Sequence, residues 1–370
     1  MSKKILLTNT SFYPNVGGVE NSLRSLTDEY RKQGHEVTVV TSNNGKLPKK
    51  ETQFGADVYR YRHIPLFGYL FSMFFLFFKL KVSNYDLVIS RHFSTTFVLL
   101  FLCKKKVKYI VPGVYKYQNK GLKRNFIGNL KYFINCSLES YVLKNTPEVF
   151  VFSGTMEAQV NEFRKLGVKR IFPGVDSKRF HKLNPVDKEL IKRSEGLPLD
   201  KQIIFTIGRH VDVKNFSLAI DSLRHLNENI VLLLVGAGPL TASLKKQVSE
   251  LKVEHRVIFK NSTPTPEKYF KIADAFLLTS TYEPFGQVLL EATASSLPVI
   301  ALDSSNKGVQ TATKEIYNGF YSLVYFSKSL KSEEFSRTIE DALESDLKKI
   351  HLDLFIERYS WANIASKLLP

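Results

Sequence analysis

The sequence predicts an α/β chain made of two doubly wound, Rossmann-like domains. Three observations carry that expectation. Short apolar runs alternate with stretches of helical period. The alternation pauses across a polar segment at about 176–201 and then restarts. At 370 residues the chain is long enough to bury two cores. Strands that alternate with helices imply a parallel sheet with crossover connections.

Residues 5–10 (ILLTNT) read as a buried strand, and residues 19–34 (VENSLRSLTDEYRKQG) as a helix closed by Gly34. The loop between them carries Pro14, Gly17 and Gly18. Residues 35–42, 85–90, 107–113 and 147–153 supply further strands of the first half. The segment 176–201 has Pro185, Pro198 and no strand pattern, so it reads as an interdomain linker. Strand signals return at 202–209, 230–239, 256–261, 275–280 and 298–303, and residues 360–369 (SWANIASKLL) form a last helix. The expected boundaries are 1–178, 179–355 and 356–370.

Charge divides unevenly along this plan. Residues 1–180 hold 29 Lys and Arg against 12 Asp and Glu, while residues 181–370 hold 24 against 23. Blocks at 104–108 (KKKVK) and 120–124 (KGLKR) make the middle of the first half strongly basic. Such a surface suits an anionic partner: phospholipid headgroups, a phosphate-bearing substrate or nucleic acid. No helix-turn-helix or RRM-type signature accompanies it, which argues against nucleic acid. The longest apolar run, 66–78 (LFGYLFSMFFLFF), is interrupted by Gly68 and Ser72 and falls short of the ~20 residues a spanning helix needs. It is either a core helix or an interfacial one, with Lys79 and Lys81 beside it. Cys103 and Cys136 are too few for a disulfide framework, and the first four residues lead straight into a strand rather than a signal peptide. A cytoplasmic, peripherally membrane-bound protein is the expectation. No Asp-x-Asp and no Cys/His cluster has ligand spacing, so no metal is expected; G-x-G-x-x-G is absent, so no dinucleotide cofactor is expected either.

Residues 282–301 (YEPFGQVLLEATASSLPVIA) carry the most chemistry. The order reads loop, helix, turn, strand. Pro284 is expected in the first helical turn, where its missing N–H costs nothing. Glu283 then precedes the helix and Glu291 stands about two turns in. Helix N-termini receive anions, and an ionised carboxylate accepts two hydrogen bonds, as vicinal sugar hydroxyls require. Spacing alone favours two solvated glutamates on a surface helix, since Glu pairs are common in helices. The full string, E-x-F-G-x4-E continuing into E-A-x-A-x3-P-V, resembles the donor-binding signature of retaining GT-B glycosyltransferases of family 4 (glycosyl transferases group 1).

That resemblance implies a fold of two Rossmann-like domains facing a cleft, the last helix crossing back to the first domain. It implies a nucleotide-diphosphate sugar as donor substrate, with no cofactor and no metal, and retention of anomeric configuration. The family's G-R-x4-K falls on Arg209 and Lys214, which would grip the donor diphosphate. Asn215 stands in the family's usual Gly place. Glu283 would read donor hydroxyls and Glu291 the ribose, with Phe285, Gly286, Gln287 and Val288 forming the turn between them. Gly17 and Gly18 resemble the family's Gly-Gly loop at the donor phosphate, and Asn261 falls where the family contacts the base. Residues 235–239 (VGAGP) match the family's strand-end turn. The family's usual histidine, after the strand at 107–113, is replaced by Pro112-Gly113, which leaves His92 as the nearby candidate for a catalytic or acceptor-side contact. The basic, Phe-rich first domain would hold a glycan or lipid-linked acceptor at an anionic membrane surface. A GT-B sugar-nucleotide epimerase and a non-catalytic, polyanion-binding GT-B module are the alternatives.

Overall fold

Two sheets, each in its own unit, organise the chain in the computed structural model, which describes residues 2–15, 17–43, 45–64, 68–119, 125–165, 167–345, 347 and 349–370. The basic block at 120–124 and the start of the apolar run at 66–67 lie outside the described residues. One unit comprises Met1–Gly174 with Trp361–Pro370, and the other Val175–Ser360.

The first unit opens with β1 (Lys4–Thr8), α1 (Gly18–Lys32), β2 (Glu36–Asn43), β3 (Lys50–Gln53) and β4 (Ala56–Arg62). It continues through α2 (Gly68–Lys79), β5 (Leu87–Ser90), α3 (Phe93–Cys103), β6 (Val107–Ile110) and α4 (Tyr115–Gln118). Then come α5 (Phe126–Asn145), β7 (Glu148–Val151), α6 (Gly154–Asn161) and β8 (Lys169–Arg170). The strand order is β3-β4-β2-β1-β5-β6-β7-β8. Pairing is parallel except for β3 with β4. Ile5, Leu6 and Leu7 are fully buried, as suits a central strand covered on both faces.

The β3–β4 hairpin escaped the sequence reading. Its two-residue turn is Phe54-Gly55, both in left-handed backbone with φ 52° and 71°. That geometry follows the twist of paired strands. The alternation in β4 was the available signal.

Helix α1 buries Leu23, Leu26 and Tyr30, and the Tyr30 hydroxyl donates to the Ala365 carbonyl at 3.3 Å. Helices α2 and α3 share a core that holds Met73, Phe77, Val98 and Leu99 against Leu6, Val40 and Val88. Helix α5 turns Glu139 inward, where it is almost fully buried and its Oε2 accepts the Tyr115 N–H at 2.8 Å. Burial pushes this carboxyl up to about 8, against the pull of the backbone N–H groups it accepts.

The second unit runs α7 (Pro185–Ser194), β9 (Gln202–Ile207), α8 (Phe216–Ser222), β10 (Ile230–Val235) and α9 (Thr241–Glu250). Next are β11 (Val257–Lys260), α10 (Glu267–Ile272), β12 (Ala275–Leu278), β13 (Tyr282–Glu283) and α11 (Gln287–Ala294). It closes with β14 (Val299–Leu302), β15 (Gln310–Thr311), α12 (Thr313–Ile316), β16 (Val324–Ser327), α13 (Ser332–Leu343) and α14 (Lys349–Arg358). Helix α15 (Trp361–Leu368) packs on α1 in the first unit. The main sheet has the order β11-β10-β9-β12-β14-β16, all parallel, with β13-β15 as a separate ribbon.

The segment at 176–201 is not a plain linker, because it contains α7. Asn184 caps that helix by accepting the Asp187 N–H at 2.9 Å, and Pro185 occupies its first turn. The Asn-Pro pair was legible as a helix start, but two prolines in a polar stretch read more simply as a break.

Glu139 gives a pH prediction. Its folded pKa lies above its unfolded value of about 4.5. The stability it contributes is therefore complete below about pH 4.5 and is lost as pH rises through about 8. Glu139→Gln keeps an acceptor for the Tyr115 N–H and cannot ionise. Thermal melts from pH 6 to 9 should show the wild type losing stability faster than the variant, by up to about 1.4 kcal/mol per pH unit. Parallel curves would contradict a buried, protonated Glu139.

Candidate active site

Parallel strands bring all their C-terminal ends to one edge of a sheet. In the six-stranded sheet, β9 and β12 are neighbours. The chain winds from β9 outward to β10 and β11, and from β12 outward to β14 and β16. This is the point at which the winding reverses, where open α/β sheets present a ligand crevice. Arg209 and Lys214 follow β9, and Glu283 follows β12. The sequence pattern therefore converges on one place within the second unit.

Backbone hydrogen bonds lock the two exit loops together. The Thr281 N–H donates to the Val213 carbonyl at 2.9 Å, and the Thr279 hydroxyl donates to the Lys214 carbonyl at 2.7 Å. The β13–β15 ribbon then fixes Glu283, whose carbonyl accepts the Ala312 N–H at 2.9 Å. Held in this way, Lys214 Nζ donates to Glu283 Oε2, with both side chains largely out of solvent. The other carboxylate oxygen accepts the Gly286 N–H at 3.3 Å. Asn215, in the family's glycine place, has φ 47° and ψ 43°, a left-handed conformation that Asn tolerates better than most residues. A left-handed position of this kind suits Gly or Asn.

A steric constraint shapes the neighbouring loop. A Cβ on Gly236 would stand 1.9 Å from the Gly208 carbonyl oxygen, and the residue sits at φ 142°. The 235–239 turn can lie against the β9 exit only because that position is glycine. His210, which the sequence reading passed over, is buried under this turn, and its Nδ1 hydrogen-bonds Thr241 Oγ1 at 2.8 Å. Burial lowers its pKa. No motif marked it; only packing of the two loops does. Arg209 is exposed at the same edge, and Asn261 is exposed just after β11, at the end of the sheet.

Helix α11 starts later than expected. Pro284 lies three residues ahead of it, and Gly286, in left-handed backbone at φ 73°, takes the cap position. Proline therefore stiffens the approach rather than the first turn. Glu291 is consequently one turn into the helix instead of two. Only 6% of it is exposed, and burial pushes its pKa up to about 8, with Arg179 pulling the other way. An ionised Glu291 was the expectation; burial favours its protonated form instead. Arg179, bound to Glu267 at 2.8 Å, is a further charged group beside it. It stands about 110 residues from the motif in sequence, and proximity alone reveals it. Phe285 and Val288 are half-buried against the unit's core, and Gln287 opens the helix.

The remaining candidates belong to the first unit. Gly17 caps α1 in extended backbone, and a Cβ on Gly18 would meet nothing within 4 Å. The internal packing of the unit therefore does not demand glycine at 18. His92 caps α3: its Nδ1 accepts the Ser94 N–H at 3.1 Å, and its ring stacks on Phe93 at 4.4 Å. Burial lowers its pKa to about 4. The ring is thus neutral with its proton on Nε2, a hydrogen-bond donor rather than a base. Among the described residues no group of three His, Cys, Asp or Glu could hold a metal ion, and no helix is long and apolar enough to cross a membrane.

Known protein families match both halves of the chain. The family model described as glycosyltransferase family 4 matches residues 16–179, and the model described as glycosyl transferases group 1 matches residues 187–357. An uncharacterized glycosyltransferase of Methanocaldococcus jannaschii is 27% identical, over 98% of this chain and 96% of that one. The alpha-monoglucosyldiacylglycerol synthase of Streptococcus pneumoniae is 25% identical, over 80% and 70%. The Anabaena protein HepE, solved in complex with UDP-glucose, superposes with a TM-score of 0.78 at 18% identity, over 99% of this chain and 98% of its own. The two family models follow one another along nearly the whole chain, and the protein belongs to the group 1/family 4 glycosyltransferases of GT-B fold.

Proposed function

We propose that the protein is a retaining, metal-independent hexosyltransferase that uses a nucleotide-diphosphate sugar. The observation that carries this reading is the Lys214–Glu283 contact at the winding reversal of the six-stranded sheet. It sets a cation suited to a departing diphosphate directly against a carboxylate suited to sugar hydroxyls. In a bound donor, the diphosphate and the hexose are likewise adjacent. Lys214 and Arg209 would neutralise the charge that develops on the leaving phosphate. Glu283 would accept hydrogen bonds from the hexose. Glu291, protonated, would donate one hydrogen bond to a ribose hydroxyl and accept another. Asn261 would meet the base, and Gly17 and Gly18 would leave room for phosphate oxygens.

In a front-face route, the bond from the anomeric carbon to the phosphate oxygen breaks and the acceptor oxygen bonds to that carbon on the same face. The acceptor proton passes to the departing phosphate. Such a step needs positioned cations more than a protein base, in keeping with His92 offering only a donor. The acceptor is read as a glycan or lipid-linked glycan at the inner face of an anionic membrane, with no role for nucleic acid. The excess of Lys and Arg in residues 1–180 and the glycolipid-synthesising relative support that choice.

Lys214→Ala and Glu283→Gln should each cut transfer by about 10²-fold or more, with the protein still folded and melting cooperatively at a lower temperature. Turnover assays with labelled donor test this, and wild-type rates in either variant would remove the site assignment. A thermal-shift screen across UDP-, GDP- and ADP-sugars should single out one nucleotide class. At about 100 times its dissociation constant, that donor adds roughly 2.7 kcal/mol of stability. Arg209→Ala should shrink the shift, and a full shift in that variant would free Arg209 from the diphosphate.

A further inference from the structure

Soluble surfaces carry isolated apolar residues, but rarely a contiguous aromatic face. Helix α2 exposes Phe71, Phe75 and Phe78 by 69%, 68% and 68%, with Phe74 partly exposed between them. The spacing i, i+3, i+4, i+7 sets all four on one side of the helix. The opposite side is satisfied, since Met73 and Phe77 fill the core shared with α3. Helix α5 repeats the arrangement with Phe126, Leu130 and Phe133, exposed by 84%, 55% and 67%. Helix α3 packs against both α2 and α5. Its Phe97 ring lies 5.1 Å from the exposed Phe101 and 5.6 Å from Tyr141 of α5. Three neighbouring helices of one unit thus present aromatic side chains to solvent.

The charge around this face has one sign. Residues 68–145 hold thirteen Lys and Arg against two acids, Asp86 and Glu139. Glu139 is buried, and Asp86 accepts the Lys4 N–H at 2.8 Å. Lys79, Lys104, Lys105 and Lys131 are exposed on or beside the same helices. Aromatic rings flanked by ammonium groups match acyl chains beneath anionic headgroups. A second copy of the chain would set lysines against lysines, so self-pairing is electrostatically opposed.

We propose that the α2–α3–α5 face docks on the headgroup–acyl boundary of an anionic lipid bilayer, with the Phe side chains inserted and the lysines on lipid phosphates. This deepens the reading of a lipid-linked acceptor and rests on it only for its purpose, because docking can be measured without turnover.

The test is flotation of the full chain with phosphatidylcholine vesicles, with and without phosphatidylglycerol. The wild type should float with the anionic vesicles at low salt and release at high salt. Phe71→Ser/Phe75→Ser and Phe126→Ser/Phe133→Ser should each weaken binding by about tenfold or more, with an unchanged melting transition. Lys79→Glu/Lys131→Glu should abolish the preference for phosphatidylglycerol. Failure of the wild type to bind, indifference to lipid charge, or wild-type binding by both Phe variants would overturn the proposal. So would a wild-type dimer that becomes monomeric in the Phe variants and never binds vesicles, which would give the face to a second copy. None of these results touches the donor-site assignment, which turnover and thermal shift test separately.

Discussion

A charge held away from water needs a partner, and the Lys214–Glu283 pair is where this requirement organises the second unit. Neither residue could sit at that depth alone. Two loops must deliver them together, and each loop is secured by the other's backbone through Thr279 and Thr281. The pair therefore depends on β9 and β12 being adjacent, and that adjacency is the reversal of winding in the sheet. Around it the packing leaves little freedom. The turn at Gly236 lies so close to Gly208 that a methyl group has no place. His210 fills the space beneath.

The two carboxylates of the site have different surroundings. Glu283 faces a lysine and a backbone N–H. Glu291 is sunk one turn into α11, and loss of hydration outweighs the attraction of Arg179. The first unit spends its surface differently. Its sheet is covered by helices whose inner faces are ordinary core, while the outer faces of α2 and α5 are aromatic and ringed by lysine.

Much of the fold was legible because parallel strands are apolar runs with few rivals. The strands at 202–209, 230–239, 275–280 and 298–303 all correspond to members of the six-stranded sheet, with ends trimmed by a few residues. The β3–β4 hairpin was not legible in the same way. Its first strand is polar and at the sheet edge, and its turn uses Phe54 where a glycine or asparagine would have announced it. The helix at Pro185–Ser194 was hidden by its own proline, which starts a helix as readily as it ends one.

The sequence by itself determined the class of fold, the family, and which residues carry charge at the strand ends, because those depend on periodicity and on motif strings that survive without coordinates. The tertiary structure alone decided which charges meet. It paired Lys214 with Glu283 across 69 residues, brought Arg179 beside Glu291, and turned the nitrogen of His92 that would accept a proton into a helix cap. It also decided burial: nothing in the spacing of Glu283 and Glu291 says that one is met by a lysine and that the other is almost wholly buried, its carboxyl pushed toward the protonated form. The same holds for the run of phenylalanines in α2, whose period could be read from the sequence. Which side of it faces the core is fixed only by the helices packed beside it.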